Sequence, residues 1–263
     1  MALPAEWWVP DWALPAGVHA VFTTRAGGVS LAPFDSFNLG DHVRDDPDAV
    51  AANRARLRQA LGAQPVFLNQ VHGDKVARLD PSTPDGIEAD ACLTSQSGVA
   101  CTVMVADCLP VLWCAGDGRL VGASHAGWRG LAGSGGHGVL EATCDALMRT
   151  SGSVERSDLS VWLGPCIGPR AFEVGEEVRA AFVGAWPQAE PLFQALPQPG
   201  NFLADLPGLA RLRLEALGVG SVSGNDSSDV WCTFAQVSRF FSHRRDAARL
   251  GGTGRMAACI WKD

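Results

Sequence analysis

Three short segments gather the side chains best suited to chemistry: Asn69-Gln70-Val71-His72-Gly73, Ala106-Asp107-Cys108-Leu109-Pro110 and Ser124-His125-Ala126-Gly127-Trp128-Arg129-Gly130. Each places one nitrogen or sulfur donor where an apolar, strand-like run ends, and strand ends are common places to build a site. His72, Cys108 and His125 are zinc ligand types. Three protein ligands leave a fourth position for water or substrate, which is the pattern of a catalytic ion. The donors stand 36 and then 17 residues apart, so no local zinc signature supports the triplet. A histidine at a strand end is more often a packed, hydrogen-bonded residue. The same donors also suit copper. Cys108 with His125 as base would serve as a metal-free nucleophile toward an amide. An ion that merely staples the fold would need a fourth protein ligand, and no fourth is evident.

Of the eight cysteines, Cys92, Cys101, Cys114, Cys144 and Cys259 lie in apolar runs and read as core residues. Cys108 differs: Asp107 precedes it and Pro110 follows, so the strand is expected to break there and expose the thiol. Cys166, in Gly164-Pro165-Cys166-Ile167-Gly168-Pro169, is expected on a rigid turn lining a pocket. His19, His42, His137 and His243 have no partner that spacing identifies. The stretch Gly133-Ser134-Gly135-Gly136-His137-Gly138 satisfies G-x-G-x-x-G, but it does not follow its strand at once, as a dinucleotide site requires. A helix opening after these glycines is expected to offer an anion its N-terminus. Walker A, H-E-x-x-H and G-x-S-x-G patterns are absent.

The elements that must position these residues alternate along the chain. Strands are expected at Val18–Thr23, Val66–Gln70, Val99–Val105, Leu120–Ser124, Leu159–Leu163 and Met256–Trp261. Helices are expected at Asp46–Leu61, Gly138–Met148, Gly175–Ala185 and Asp205–Leu217. Asp46-Pro47 caps and opens the first and Gly62 stops it, while Asp205 and Gly218 bracket the last. Pro187–Gly200 reads as a surface loop. The mixture indicates α/β or α+β with a large central sheet, in one domain spanning residues 1–263.

Composition narrows the partners. The net charge is −7 from 21 basic and 28 acidic residues, with no basic block, which argues against nucleic acid. No apolar run approaches the ~18 residues of a membrane span. Met1 to Pro15 carries no basic residue, so a secretory signal is not expected and a cytoplasmic protein with reduced thiols is. The oligomeric state is not legible.

These segments, in order, resemble the laccase-domain or polyphenol oxidase family, called the peptidoglycan editing factor family in bacteria. Further matches are Phe37-Asn38-Leu39-Gly40, Asn53-Arg54, Gly164 to Pro169, Glu173-Val174-Gly175-Glu176-Glu177-Val178, Phe240 to Asp246 and Thr253-Gly254-Arg255. Together they cover nearly the whole chain. The resemblance implies a single α/β domain of layered mixed β-sheets flanked by helices. It also implies a zinc ion on His72, Cys108 and His125. Members are similar to purine nucleoside phosphorylases that split adenosine, inosine, guanosine or methylthioadenosine with phosphate and can deaminate adenosine. Copper-dependent phenol oxidation was the earlier assignment, and editing of cell-wall precursors is a further role. On this basis Arg54 is expected to contact phosphate, against a solvated place on its helix. Asp107 is expected to orient a ligand or act as a base, against a turn cap. The chain departs from the pattern at Phe172 and His243, where tyrosine is common, and at Phe234-Ala235-Gln236, where a second cysteine is common. Arg44 replaces a common glycine, and Arg249–Gly252 forms an insertion.

Overall fold

The structure, a computed structural model, describes residues 3–263; of the amino-terminal stretch read above, Met1 and Ala2 lie outside the described residues. The chain begins with β1 (Val18–Phe22), α1 (Pro47–Leu61), β2 (Gln64–Phe67), β3 (Val76–Arg78) and β4 (Ala91–Thr94). Next come β5 (Val99–Val105), β6 (Leu109–Ala115), β7 (Val121–Ala126), α2 (Trp128–Ala132), α3 (Val139–Ser151) and β8 (Leu159–Leu163). Then follow β9 (Glu173–Gly175), α4 (Glu176–Val183), β10 (Phe193–Ala195), β11 (Asn201–Ala204) and α5 (Leu206–Ala216). The chain closes with β12 (Ser221–Gly224), α6 (His243–Leu250) and β13 (Met256–Lys262).

Two mixed sheets form the centre, one in the order β1-β13-β5-β2 and one in the order β12-β8-β6-β7-β4-β3; β10-β11-β9 is a small third sheet. The long apolar runs are explained by burial on both faces, since alternate side chains of a strand point to opposite sides. Along β13, Met256, Ala258 and Ile260 pack between the sheets, while Ala257, Cys259 and Trp261 face outward with Leu57 and Leu61 of α1. Along β6, Leu112 and Cys114 face the inter-sheet layer, and Val111 and Trp113 pack with residues of α3 and α5. The result is helix, sheet, sheet, helix.

Local signals set the helices. Asp46 accepts from the backbone N–H of Asp48, Pro47 opens α1, and Gly62 ends it at φ 63°, a left-handed value that suits glycine. Asp205 accepts from Gly208 N and caps α5. Four expectations are corrected. The proposed strand Val66–Gln70 ends at Phe67, and its remainder is the loop that carries His72. The strand does break around Cys108, which alone of the cysteines is not buried, but Pro110 is not the cause; it lies inside β6, and the break falls at Asp107, whose φ is 93°. Pro187–Gly200 is not a plain loop but holds a 3-10 turn, Pro187–Leu192, and β10. The glycine turn offers no free helix N-terminus: Gly138 N donates to Glu141, whose carboxylate pairs with buried Arg213 at 2.8 Å.

Candidate metal centre

Strand register brings the donors together. Leu109 and Pro110 at the start of β6 pair with Ala126 and His125 at the end of β7, so Cys108 lies at the edge where β7 finishes. On the other side of β7, Ala91 pairs with Ser124, which puts Asp90 beside His125. His72 arrives on the loop after β2, at φ 63°, a left-handed backbone that non-glycine residues adopt at a cost of about 1–2 kcal/mol.

The residue holding that loop is Asp90, which the sequence reasoning did not single out. Its fully buried carboxylate accepts from the backbone N–H groups of Val71, His72 and Gly73 at 3.1, 2.8 and 2.7 Å. It also meets His125 Nδ1 at 2.9 Å. Successive N–H groups converging on one carboxylate make an anion nest, and a carboxylate on the far nitrogen of a ligating histidine fixes its ring and tautomer. Burial raises Asp90, but His125 and the backbone donors outweigh it and hold the carboxyl below the usual range. The signal in the sequence is slight: a single acid at the mouth of a fully buried apolar strand.

His72, Cys108 and His125 meet with their donor atoms within 4.8 Å of one another, the one such group of three among the described residues. Cys108 Sγ is 3.7 Å from His72 Nε2, and the two imidazoles stand edge to face with centroids 4.8 Å apart. Burial pushes the Cys108 thiol up, but the charge and hydrogen bond of His125, then His72, prevail and bring it to about 6. Burial also opposes charge on His125, yet Cys108 and Asp90 lift it to about 9. Two imidazoles and a thiolate fit one zinc ion. The backbone leaves it room: a Cβ on Gly127 would come 2.6 Å from His72 Cδ2 and 3.2 Å from Cys108 Sγ. One such group cannot supply the several copper sites of a multicopper oxidase.

Asp107, expected as a ligand orienter or base, lines the cavity, but its carboxylate is hydrogen-bonded to none of the three metal donors. Its carboxylate accepts from Thr233 Oγ1 at 2.6 Å, Ser242 Oγ at 3.0 Å and Arg244 N at 2.7 Å. It is a cap, tying the Cys108 corner to the first turn of α6. Arg54 is not solvated on its helix; it reaches the same cavity as the donors. There Nε donates to Leu39 O at 2.9 Å, and the guanidinium lies 4.0 Å over the Phe67 ring. Asp41 and Asp85 bracket it at 3.2 and 3.8 Å. Cys166 does not line the cavity: it is fully buried, and its neighbour Ile167 takes that place.

The cavity encloses about 700 Å³, within the ~300–1,000 Å³ of small-molecule sites. The three donors share its wall with Phe172, Trp128 and Leu206, and with His42, His243, Arg244 and Arg255.

Residues 19–263 match the family described as multi-copper polyphenol oxidoreductase laccase. The chain belongs to this family. It is 52% identical over 255 residues to purine nucleoside phosphorylase PA4543 of Pseudomonas aeruginosa, covering 97% of this chain and 98% of the relative. It is 46% identical to purine nucleoside phosphorylase YfiH of Escherichia coli, covering 96% and 97%. The crystal structure of Neisseria meningitidis protein NMB0706 superposes with a TM-score of 0.88 at 43% identity, covering 98% and 99%. YlmD from Geobacillus stearothermophilus gives 0.81 at 32%, covering 97% and 98%. The layered α/β fold expected from the sequence is therefore shared along the whole length. Among the described residues, no helix is long and apolar enough to cross a membrane.

Proposed function

We propose that this chain, as one domain over residues 1–263, is a zinc-dependent phosphorylase of purine nucleosides. Adenosine, inosine, guanosine or methylthioadenosine would react with phosphate to give the free base and the pentose 1-phosphate. The observation that carries this reading is the convergence of His72, Cys108 and His125 on a cavity that also presents guanidinium groups and an apolar wall. Relatives at 52% and 46% identity named purine nucleoside phosphorylase support it. The eight free thiols fit a cytoplasmic setting.

In phosphorolysis a phosphate oxygen bonds to C1 of the sugar as the C1–N9 bond breaks; the electron pair leaves on the purine, which takes up a proton. His72, Cys108 and His125 would hold a zinc ion, which would supply Lewis acidity toward a substrate oxygen. The protein's own groups do the rest. Asp90 keeps His125 and the His72 loop in place, Arg54 adds positive potential for the attacking anion, and the apolar wall excludes water from the breaking bond. Cys108 and His125 would serve as ligands and His72 as the third, with Asp107 acting only through the corner it holds. Among the described residues no glutamate lines the cavity, so deamination, which usually employs one, is less well supported than phosphorolysis.

A second reading rests on the Cys108–His125–Asp90 chain, in which a lowered thiol pairs with a carboxylate-oriented imidazole, as in cysteine hydrolases acting on an amide such as a cell-wall precursor. It gives His72 no task. Product analysis separates the two. Zinc-loaded protein should release adenine and ribose 1-phosphate from adenosine only with phosphate present, and Cys108→Ala and His125→Ala should abolish this. Absence of turnover at one zinc per chain would sink the phosphorylase, and amide hydrolysis that survives chelation would establish the nucleophile.

A further inference from the structure

We propose that inorganic phosphate is held chiefly by Arg255, with His42 beside it, and that Arg54 stands behind this pair rather than in front of it; the proposal rests on the phosphorylase reading and specifies its anion subsite.

The two guanidinium groups of this part of the cavity, Arg54 and Arg255, differ in how well their charge is already answered. Arg54 is bracketed by Asp41 and Asp85, and Nη2 faces Asp41 Oδ2 at 3.2 Å without the alignment of a hydrogen bond. Arg255 makes no ion pair among the described residues. Its Nη1 donates to the backbone oxygens of Thr253 and Gly254 at 3.1 and 3.2 Å, which leaves Nε and Nη2 without partners. A half-buried guanidinium with two free donors and no carboxylate partner is open to an oxyanion, which answers it with paired hydrogen bonds. Arg255 lines the same cavity as His72, Cys108 and His125, so an anion on its free edge shares that space with the metal donors. His42 lines the same cavity, on a segment that Asn38 ties to Arg255.

The placement is built, and it accounts for a motif that the metal centre leaves unused. In Phe37-Asn38-Leu39-Gly40, Asn38 Oδ1 accepts from Arg255 N at 2.8 Å and from Gly40 N at 2.9 Å, locking the two segments together. Asn38 Nδ2 donates to Asp45 at 2.8 Å, closing the loop that carries His42. Gly40 is needed because a Cβ there would lie 2.7 Å from Arg255 Cγ.

The test is titration of inorganic phosphate into the zinc-loaded protein by calorimetry, with phosphate and nucleoside KM measured in parallel. Arg255→Gln should weaken phosphate about tenfold or more while the nucleoside KM stays within about twofold; Arg255→Lys, a point charge without the fork, should fall between. Phosphate affinity within about twofold of wild type in Arg255→Gln, at unchanged zinc content and circular dichroism, would overturn the assignment. Should Arg255→Gln not fold, Gly40→Ala displaces the same side chain, and unaltered phosphate affinity there would be equally fatal. Adenosine 5′-monophosphate binding that depends on Arg255, where inorganic phosphate shows none, would reassign the subsite to nucleotides and overturn the proposal. Arg255-dependent phosphate binding without release of any base would retain the subsite and remove the phosphorylase.

Discussion

Asp90 concentrates the most consequence in a single side chain. Four donors share its carboxylate, three on the strained His72 loop and one on His125. An amide oxygen in its place lacks the charge and presents an N–H₂ to two of those donors. Asp90→Asn is expected to lower zinc affinity by roughly 10–100-fold, read by competition with a chromogenic chelator; unchanged affinity would remove Asp90 from the metal centre. Gly127→Ala should also expel the ion, because its methyl would occupy the space between His72 and Cys108. Its thermal midpoint without zinc should stay near wild type, which a general packing defect would not allow. The three donors stood out in the sequence as chemistry-bearing residues at strand ends, but the family resemblance of their segments, not their spacing of 36 and 17 residues, joined them into one site. Asp90 was not, since its role depends on β4 lying antiparallel to β7, a register that no local pattern encodes.

At the scale of elements, α6 has an unusual footing. Its N-terminal cap, Ser242, and the N–H of Arg244 are both held by Asp107 from the corner between β5 and β6. Behind that turn, Asp246 is buried against Arg245, at 2.8 and 2.7 Å. Burial raises the Asp246 carboxyl, but Arg245 and Ser242 N prevail and hold it below the usual range. Since the folded value is depressed, its contribution to stability is present above the unfolded carboxylate pKa near ~4 and is lost as pH falls through the folded value. Asp246→Asn should therefore flatten the acid limb of a stability–pH curve while lowering stability at pH 7; parallel curves would refute this. Asp107→Asn should raise KM more than it lowers zinc affinity, because α6 brings His243 and Arg244 to the cavity. Helix limits were readable within a residue or two wherever a cap residue and a stopping glycine stood together, as in α1. The break around Cys108 was read correctly from its flanking residues, but the proline has no part in it: Pro110 is accommodated within β6, and the turn comes from Asp107 at φ 93°.

Over the whole molecule, stability comes from three apolar layers, one between the two large sheets and one on the outer face of each. Trp113, fully buried with its indole N–H donating to Ser124 Oγ at 2.8 Å, packs in the layer between the six-stranded sheet and the helices. Trp113→Ala should cost about 3–5 kcal/mol, measured by urea unfolding, whereas Leu31→Ser, at an 81% exposed position, should change little. The α/β class followed from alternating runs, but the division into two sheets did not: a strand buried on both faces reads as continuous apolar sequence whichever sheet it joins.

That division gives the metal centre a mechanical meaning. β5 belongs to one sheet and β6 to the other, and the chain crosses between them at Asp107-Cys108. His72 comes from the loop after β2 in the first sheet, and His125 from β7 in the second. An ion bound by all three is a rivet through the seam of a laminate. Loading it should slow amide hydrogen exchange on both sides of that seam together, so that two layers which would otherwise breathe independently open only as one.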